Sequence, residues 1–163
     1  VRYCIAHRIG ILVVGTNRLW KQHASMSKEN NQKFVSIPHE RLRWMISYKA
    51  LVAGIEVIWQ EESYTSKADC TAGDLIPVYG KEKTHLVFSG RRIERGLYLC
   101  KAGYCINADC NGAANILRKA FPHAWDACKD FQFLSTPASV GFESLNPSSI
   151  PNRQKQRAAN KKK

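Results

Sequence analysis

Two acidic places in this chain could carry catalysis. Glu61 and Glu62 are adjacent, where an apolar stretch from Ile55 to Gln60 gives way to a loop. Asp109 stands between a short apolar run and a helix rich in small residues. In open α/β sheets ligands gather beyond the strand ends, and both places have that kind of position. Carboxylates brought together there repel one another unless a hard cation sits between them. Mg2+ suits that role, because it takes oxygen ligands and is held by few protein carboxylates plus phosphate. Two such ions about 3.5–4 Å apart stabilise the attacking and leaving oxygens of a phosphodiester displacement. Each place also has a plainer reading. Asp109 could be a helix N-cap, worth about 1 kcal/mol, and the glutamates could be solvated residues at a strand end. On a strand the two glutamates face opposite sides, so only one of them could turn toward a site.

A second group is basic. Arg91, Arg92 and Arg95 crowd around Tyr98, a combination able to grip phosphates and stack on bases, or to form a solvated face. Lys67, Arg118 and Lys119 join them as candidate nucleic-acid contacts. Twenty-five Lys and Arg against 13 Asp and Glu leave a net charge of +12 over 163 residues, which points to a polyanionic partner, nucleic acid or an anionic membrane. No apolar run approaches the ~20 residues of a spanning helix, so a soluble protein is expected. The basic start and the apolar run from Ile9 to Val14 loosely mimic an export signal, but the run is short and no small-residue cleavage site follows. Six cysteines, at 4, 70, 100, 105, 110 and 128, form no C-x-x-C pair. Scattered buried thiols are therefore expected, rather than disulfides or zinc.

These residues need elements to position them. Ile9 to Val14 is β-branched and continuously apolar, and reads as a central strand buried on both faces. Arg18 to Phe34 reads as a polar loop or short irregular helix. A helix is expected from Pro38 to Gly54, with an apolar stripe wide enough to bury much of its circumference. Ile55 to Gln60 resumes the strand pattern, so strand, helical crossover and strand make an α/β unit. Ser63 to His85 reads as a long loop and Leu86 to Phe88 as a short strand. Leu97 to Leu99 and Tyr104 to Ile106 read as a hairpin. A helix runs from Cys110 to a stop at Pro122. The expected folded part is 1–128, and 129–163 reads as a disordered basic tail ending in Arg153, Lys155, Arg157 and Lys161 to Lys163.

Several linked motifs then point to one family. Val14-Gly15-Thr16-Asn17, Trp20-Lys21-Gln22, Ile37-Pro38-His39, Glu61-Glu62-Ser63-Tyr64-Thr65-Ser66-Lys67, Phe88-Ser89-Gly90-Arg91-Arg92, Arg95-Gly96-Leu97-Tyr98 and Ile106-Asn107-Ala108-Asp109-Cys110-Asn111-Gly112-Ala113-Ala114-Asn115 occur in that order. Together they resemble the OrfB/TnpB proteins of bacterial insertion sequences, whose transposons are moved by a separate transposase. Those proteins are RNA-guided DNA endonucleases similar to type V CRISPR effectors. The resemblance runs from about Ile9 to Pro122 and implies part of an RNase H-like RuvC fold. It also implies three acidic Mg2+ ligands in the order Asp, Glu, Asp, of which Asp109 matches the third.

The resemblance has departures. Nothing before Ile9 matches the first Asp, so the chain reads as the carboxyl-terminal portion of such an enzyme, without its amino-terminal half and inactive alone. The family's glutamate ends the strand matching Ile9 to Val14, where this chain has Gly15. Glu61 or Glu62 could supply that carboxylate from the neighbouring strand. The paired C-x-x-C knuckles of the family are absent. DNA and a guide RNA are the implied partners, and the bacterial cytoplasm near the nucleoid is the implied location. A nuclease-dead nucleic-acid-binding module and a decayed transposon remnant are the alternatives.

Overall fold

The computed structural model describes residues 1–17, 38–80, 86–138 and 140–141. The loop expected over Arg18 to Phe34 and the basic end from Arg153 lie outside the described residues. The chain mixes helices and strands, as an α/β reading requires. A short helix α1 (Arg2–Ala6) precedes strand β1 (Ile11–Thr16). Helix α2 (His39–Val52) then crosses to β2 (Glu56–Glu61), which pairs with β1 in parallel, Ile11 opposite Glu56 and Thr16 opposite Glu61. Parallel neighbours need such a crossover, and the strand–helix–strand pattern supplies it. Pro38 stands at the N-cap of α2, and Gly54 ends the turn after it at φ +69°, a left-handed conformation open to glycine.

Two expectations about this unit need correction. β1 is at most half-buried along its length, and Ile11 is exposed, so it is not covered on both faces. In α2 only Ala50 is buried, while Trp44 is 66% and Leu51 78% exposed. Among the described residues α2 packs its narrow Ala50 side on Ile55, Val57 and Cys4, while Leu42, Trp44, Tyr48, Leu51 and Val52 are exposed. The broad stripe is real, but only a narrow part of it meets a neighbour.

A second sheet follows, ordered β3 (Arg91–Glu94), β4 (Leu97–Leu99), β5 (Cys105–Asn107), all antiparallel. The hairpin is the expected one, shifted by a residue on its second arm. Leu86 to Phe88 forms no strand; the edge is the arginine-bearing β3. Helix α3 (Ala108–Ala120) packs against β1 and β2 on one side and β4 and β5 on the other. The folded part also passes residue 128. A 3-10 turn, Gln132–Leu134, buries Leu134 in the cluster of Tyr98, Cys100, Ile106 and Ala114, and Phe131 packs beside it. A tail boundary at 129 is therefore too early: Leu134 is part of the core and Phe131 packs against it.

The segment after β2 has no regular secondary structure, yet Thr65, Ala68, Asp69, Cys70 and Pro77 are buried. Asp69 explains much of this. Its fully buried carboxylate accepts from Thr71 N (2.9 Å), Thr71 Oγ1 (2.7 Å) and Lys101 N (2.7 Å), tying the loop to the β4–β5 turn. Asp74 accepts from Asp69 N (2.9 Å), Ser89 N (2.8 Å) and Ser89 Oγ (2.5 Å). Burial pushes the Asp74 carboxyl up, but these donors and the Arg118 charge outweigh it and hold its pKa below the ordinary aspartate value.

Two outcomes are expected. Asp69→Ala should lower unfolding free energy by about 2–4 kcal/mol in urea titrations, because three donors lose a buried charged acceptor; a loss under about 1 kcal/mol would show that the tie is dispensable. For Asp74 the folded pKa lies below the unfolded one, so its stabilisation is full well above about pH 4 and fades as pH falls through the folded value. Asp74→Asn should flatten the loss of melting temperature on acidification and leave the profile above about pH 6 parallel to that of the wild type.

Candidate functional site

Both glutamates reach α3, so the expectation from strand alternation that only one of them turns to that side does not hold; their partners there distinguish them. Val57 packs into the α2 cluster, and the Arg43 guanidinium lies 4.7 Å over the Trp59 ring, so these two residues of β2 face α2. Glu62, just past the strand, turns to the other side, where α3 lies. Its side chain crosses Gly15: a β-carbon built there would collide with Glu62 Oε2 and come within 2.7 Å of Ile116 Cδ1. The room for the Glu62 carboxylate exists because position 15 has no side chain.

Glu61 has a different fate. Its Oε2 lies 2.5 Å from Lys119 Nζ, and Oε1 accepts from Ser63 N at 2.7 Å. Burial raises the Glu61 pKa, but the Lys119 and Ser63 contacts outweigh it and bring it below the ordinary glutamate value. Lys119 also donates to Ser63 O and Pro77 O, both at 3.1 Å, and its side chain is 6% exposed. Glu61 is thus the counter-charge of a buried ammonium.

Asp109 lies exposed in the first turn of α3. It does not cap the helix. Asn107 Oδ1 does so, accepting from Asp109 N (2.9 Å) and Cys110 N (3.0 Å), which leaves the Asp109 carboxylate free of that duty. Asp109, Gly112 and Ile116 share one face of α3, with Asp109 about 10 Å along the axis from Ile116. A β-carbon on Gly112 would meet nothing within 4 Å, so the helix face between the two acids borders open space. Among the described residues no three His, Cys, Asp or Glu side chains group as a metal site. Glu62 and Asp109 are two hard oxygen donors, which suits Mg2+ in kind but leaves the set incomplete.

The basic candidates divide. Arg91, Arg92, Arg95 and Lys67 are exposed. Lys119 is committed to Glu61 and two carbonyls. Arg118 is half-buried, donating to Asn115 Oδ1 (3.1 Å) and to Asp74 O. Tyr98 is fully buried at the centre of the core, its hydroxyl donating to Lys67 O at 2.7 Å, so it cannot stack on a base. The apolar hairpin pattern around it is the better guide.

Cys4, Cys70 and Cys100 are free thiols of the packed interior. Burial pushes the Cys70 thiol up to about 12 and the Cys100 thiol up to about 11. Cys105 and Cys110 are half-buried.

Sequence reasoning missed the residues that hold this edge together. Asn111 and Asn115, four apart on α3, are fully buried. Asn111 accepts from Cys70 N (3.0 Å) and donates to Ala68 O (2.8 Å), while Asn115 donates to Thr65 O (2.9 Å) and Ala68 O (2.7 Å). Their signal was available: two asparagines at helical spacing in a helix interior, where asparagine is a poor helix former.

Known proteins share this stretch of chain. Residues 39–116 match the family model described as Cas12f1-like, TNB domain. Over 108 residues the chain is 32% identical to the CRISPR-associated endodeoxyribonuclease Cas12f2 of Micrarchaeota archaeon (strain CG1_02_47_40), a match that covers 61% of this chain and 18% of that protein. The chain therefore spans under a fifth of the relative it matches. Both matches support one TnpB/Cas12-related family, and the family-model match runs through the stretch that carries Glu61, Glu62 and Asp109.

Proposed function

We propose that this chain is the carboxyl-terminal part of an RNA-guided, Mg2+-dependent DNA endonuclease of RuvC type, contributing Glu62 and Asp109 to its metal site. The observation that carries the reading is the Glu62 side chain laid across Gly15. It brings a carboxylate to the end of β1, where the resembling family keeps its glutamate. A bound Mg2+ would polarise the scissile phosphate and activate the attacking water. The chain's own part is to hold two oxygen donors on the α3 side of the sheet, with Gly15 making room for one and Asn107 relieving the other of capping. The resemblance implies one further acid, and no residue before Ile9 matches it. The endodeoxyribonuclease named in the comparison is consistent with DNA as substrate.

A second reading, a binding module without cleavage, is favoured by β3, which is exposed along its length and carries Arg91 and Arg92 with Arg95 just beyond. Both readings require phosphate neutralisation. Affinity for nucleic acid should therefore fall steeply with salt, and Arg91→Ala with Arg92→Ala should lower the log–log salt slope by roughly 0.7–0.9 for each phosphate no longer neutralised. A slope unchanged in the double variant would remove β3 from the interface.

Cleavage separates the two readings. In an intact protein carrying this segment, Glu62→Ala and Asp109→Ala should each reduce DNA cleavage more than ~100-fold while guided binding persists. Glu61→Ala should instead act through stability, because it leaves Lys119 buried without its counter-charge. Normal cleavage by Asp109→Ala or Glu62→Ala would overturn the assignment and leave the binding module.

A further inference from the structure

Three aromatic rings gather just beyond Glu62. Tyr64 and Tyr79 lie with ring centroids 6.4 Å apart and planes within 28°, and Phe88 lies 6.2 Å from Tyr64. They do not form a closed core: Tyr79 is 65% exposed, and Tyr64 and Phe88 are half-buried. Tyr64 also has a backbone φ of +64°, a left-handed conformation that a bulky side chain adopts at a cost. The surroundings enforce it. Thr65 N and Oγ1 both donate to Glu62 O, Lys67 N and Ala68 N donate to Tyr64 O, and Asn115 holds Thr65 O. The other two rings are anchored as well. Lys119 binds Pro77 O, two residues before Tyr79, with the same ammonium that holds Glu61 and Ser63 O. Ser89, next to Phe88, is bound to Asp74. Polar ties thus fix three separate segments so that their rings meet at a partly open surface, two residues from the proposed metal ligand.

We propose that Tyr64, Tyr79 and Phe88 form a stacking platform for an unpaired base of single-stranded nucleic acid, and so hold the strand beside the Glu62 edge. Every base presents a π-face, so such a platform adds affinity without sequence preference, while the exposed cation of Lys67 in the same loop suits the backbone. The inference rests on the nucleic-acid reading above but concerns a different kind of contact, stacking in place of charge.

Fluorescence anisotropy with labelled oligothymidine, an abasic oligonucleotide of equal length and a matched duplex tests it on the chain itself. Tyr79→Ala should weaken oligothymidine binding by roughly 5-fold or more. Tyr79→Phe should bind as the wild type does, the salt slope should stay the same, and the abasic oligonucleotide should erase the difference between wild type and Tyr79→Ala. Equal melting temperatures would be expected, since Tyr79 is mostly exposed. If wild type and Tyr79→Ala bind oligothymidine equally, with salt sensitivity intact, the platform is wrong and the nucleic-acid reading survives. If Tyr79→Phe loses as much as Tyr79→Ala, the hydroxyl and not the ring touches the strand, and the platform is again wrong. If the wild type binds none of the three probes, both readings fall together.

Discussion

The amide ladder of Asn111 and Asn115 is the constraint on which the rest of the described fold depends. Both side chains are fully buried, and together they bind Thr65 O, Ala68 O and Cys70 N. A loop without secondary structure cannot satisfy buried backbone groups on its own, and water is excluded there. The two asparagines do it from a helix, at a cost of about 1–3 kcal/mol for each group left unpaired should one be removed. Because the loop is pinned to α3 this way, the end of β2, the turn at Tyr64 and the buried Asp69 all take their positions from one helix. The same helix meets both sheets, so displacement of α3 would disturb the two-stranded and three-stranded layers together.

Charge follows a similar division. A net charge of +12 suggests a uniformly basic surface, yet the cations near the candidate site serve two ends. Lys119 and Arg118 point inward and fasten loops, each meeting carbonyl oxygens that would otherwise lack donors. Arg91, Arg92, Arg95 and Lys67 remain at the surface. Position relative to α3, more than residue type, decides which group a cation joins: the last turn of the helix carries both inward cations close to the loop carbonyls.

Much of the architecture was legible in the sequence because it rests on local patterns. The β-branched run at Ile11 to Val14, the Pro38 and Gly54 boundaries, the alternation at Leu97 to Leu99 and the stop at Pro122 each mark an element by a short-range rule. Burial was less legible. The breadth of an apolar stripe does not say how much of it meets a neighbour, and α2 leaves Trp44, Tyr48 and Leu51 outward among the described residues. At the site, the candidate acids could be named but not ranked, since the ranking depends on Lys119, 58 residues away in sequence, reaching Glu61. Tyr98 was misjudged for the same reason: nearby arginines suggested a surface, while its partner, the Lys67 carbonyl, is 31 residues distant.

Gly15 carries a historical implication. The Glu62 carboxylate occupies the space that a side chain at 15 would need, so position 15 cannot gain one while that carboxylate lies there. A side chain regained at 15, glutamate included, would meet Glu62 and Ile116 before it reached any metal. Related chains should therefore carry an acid at one of the two positions and a glycine or a shortened side chain at the other. A lineage moving between these states would have to pass through an ancestor with both positions small, and therefore without this acid, or through one in which the carboxylate at 62 had already turned away. Substitution at this pair is thus ordered in time, and a phylogeny of the family could reveal which order was taken.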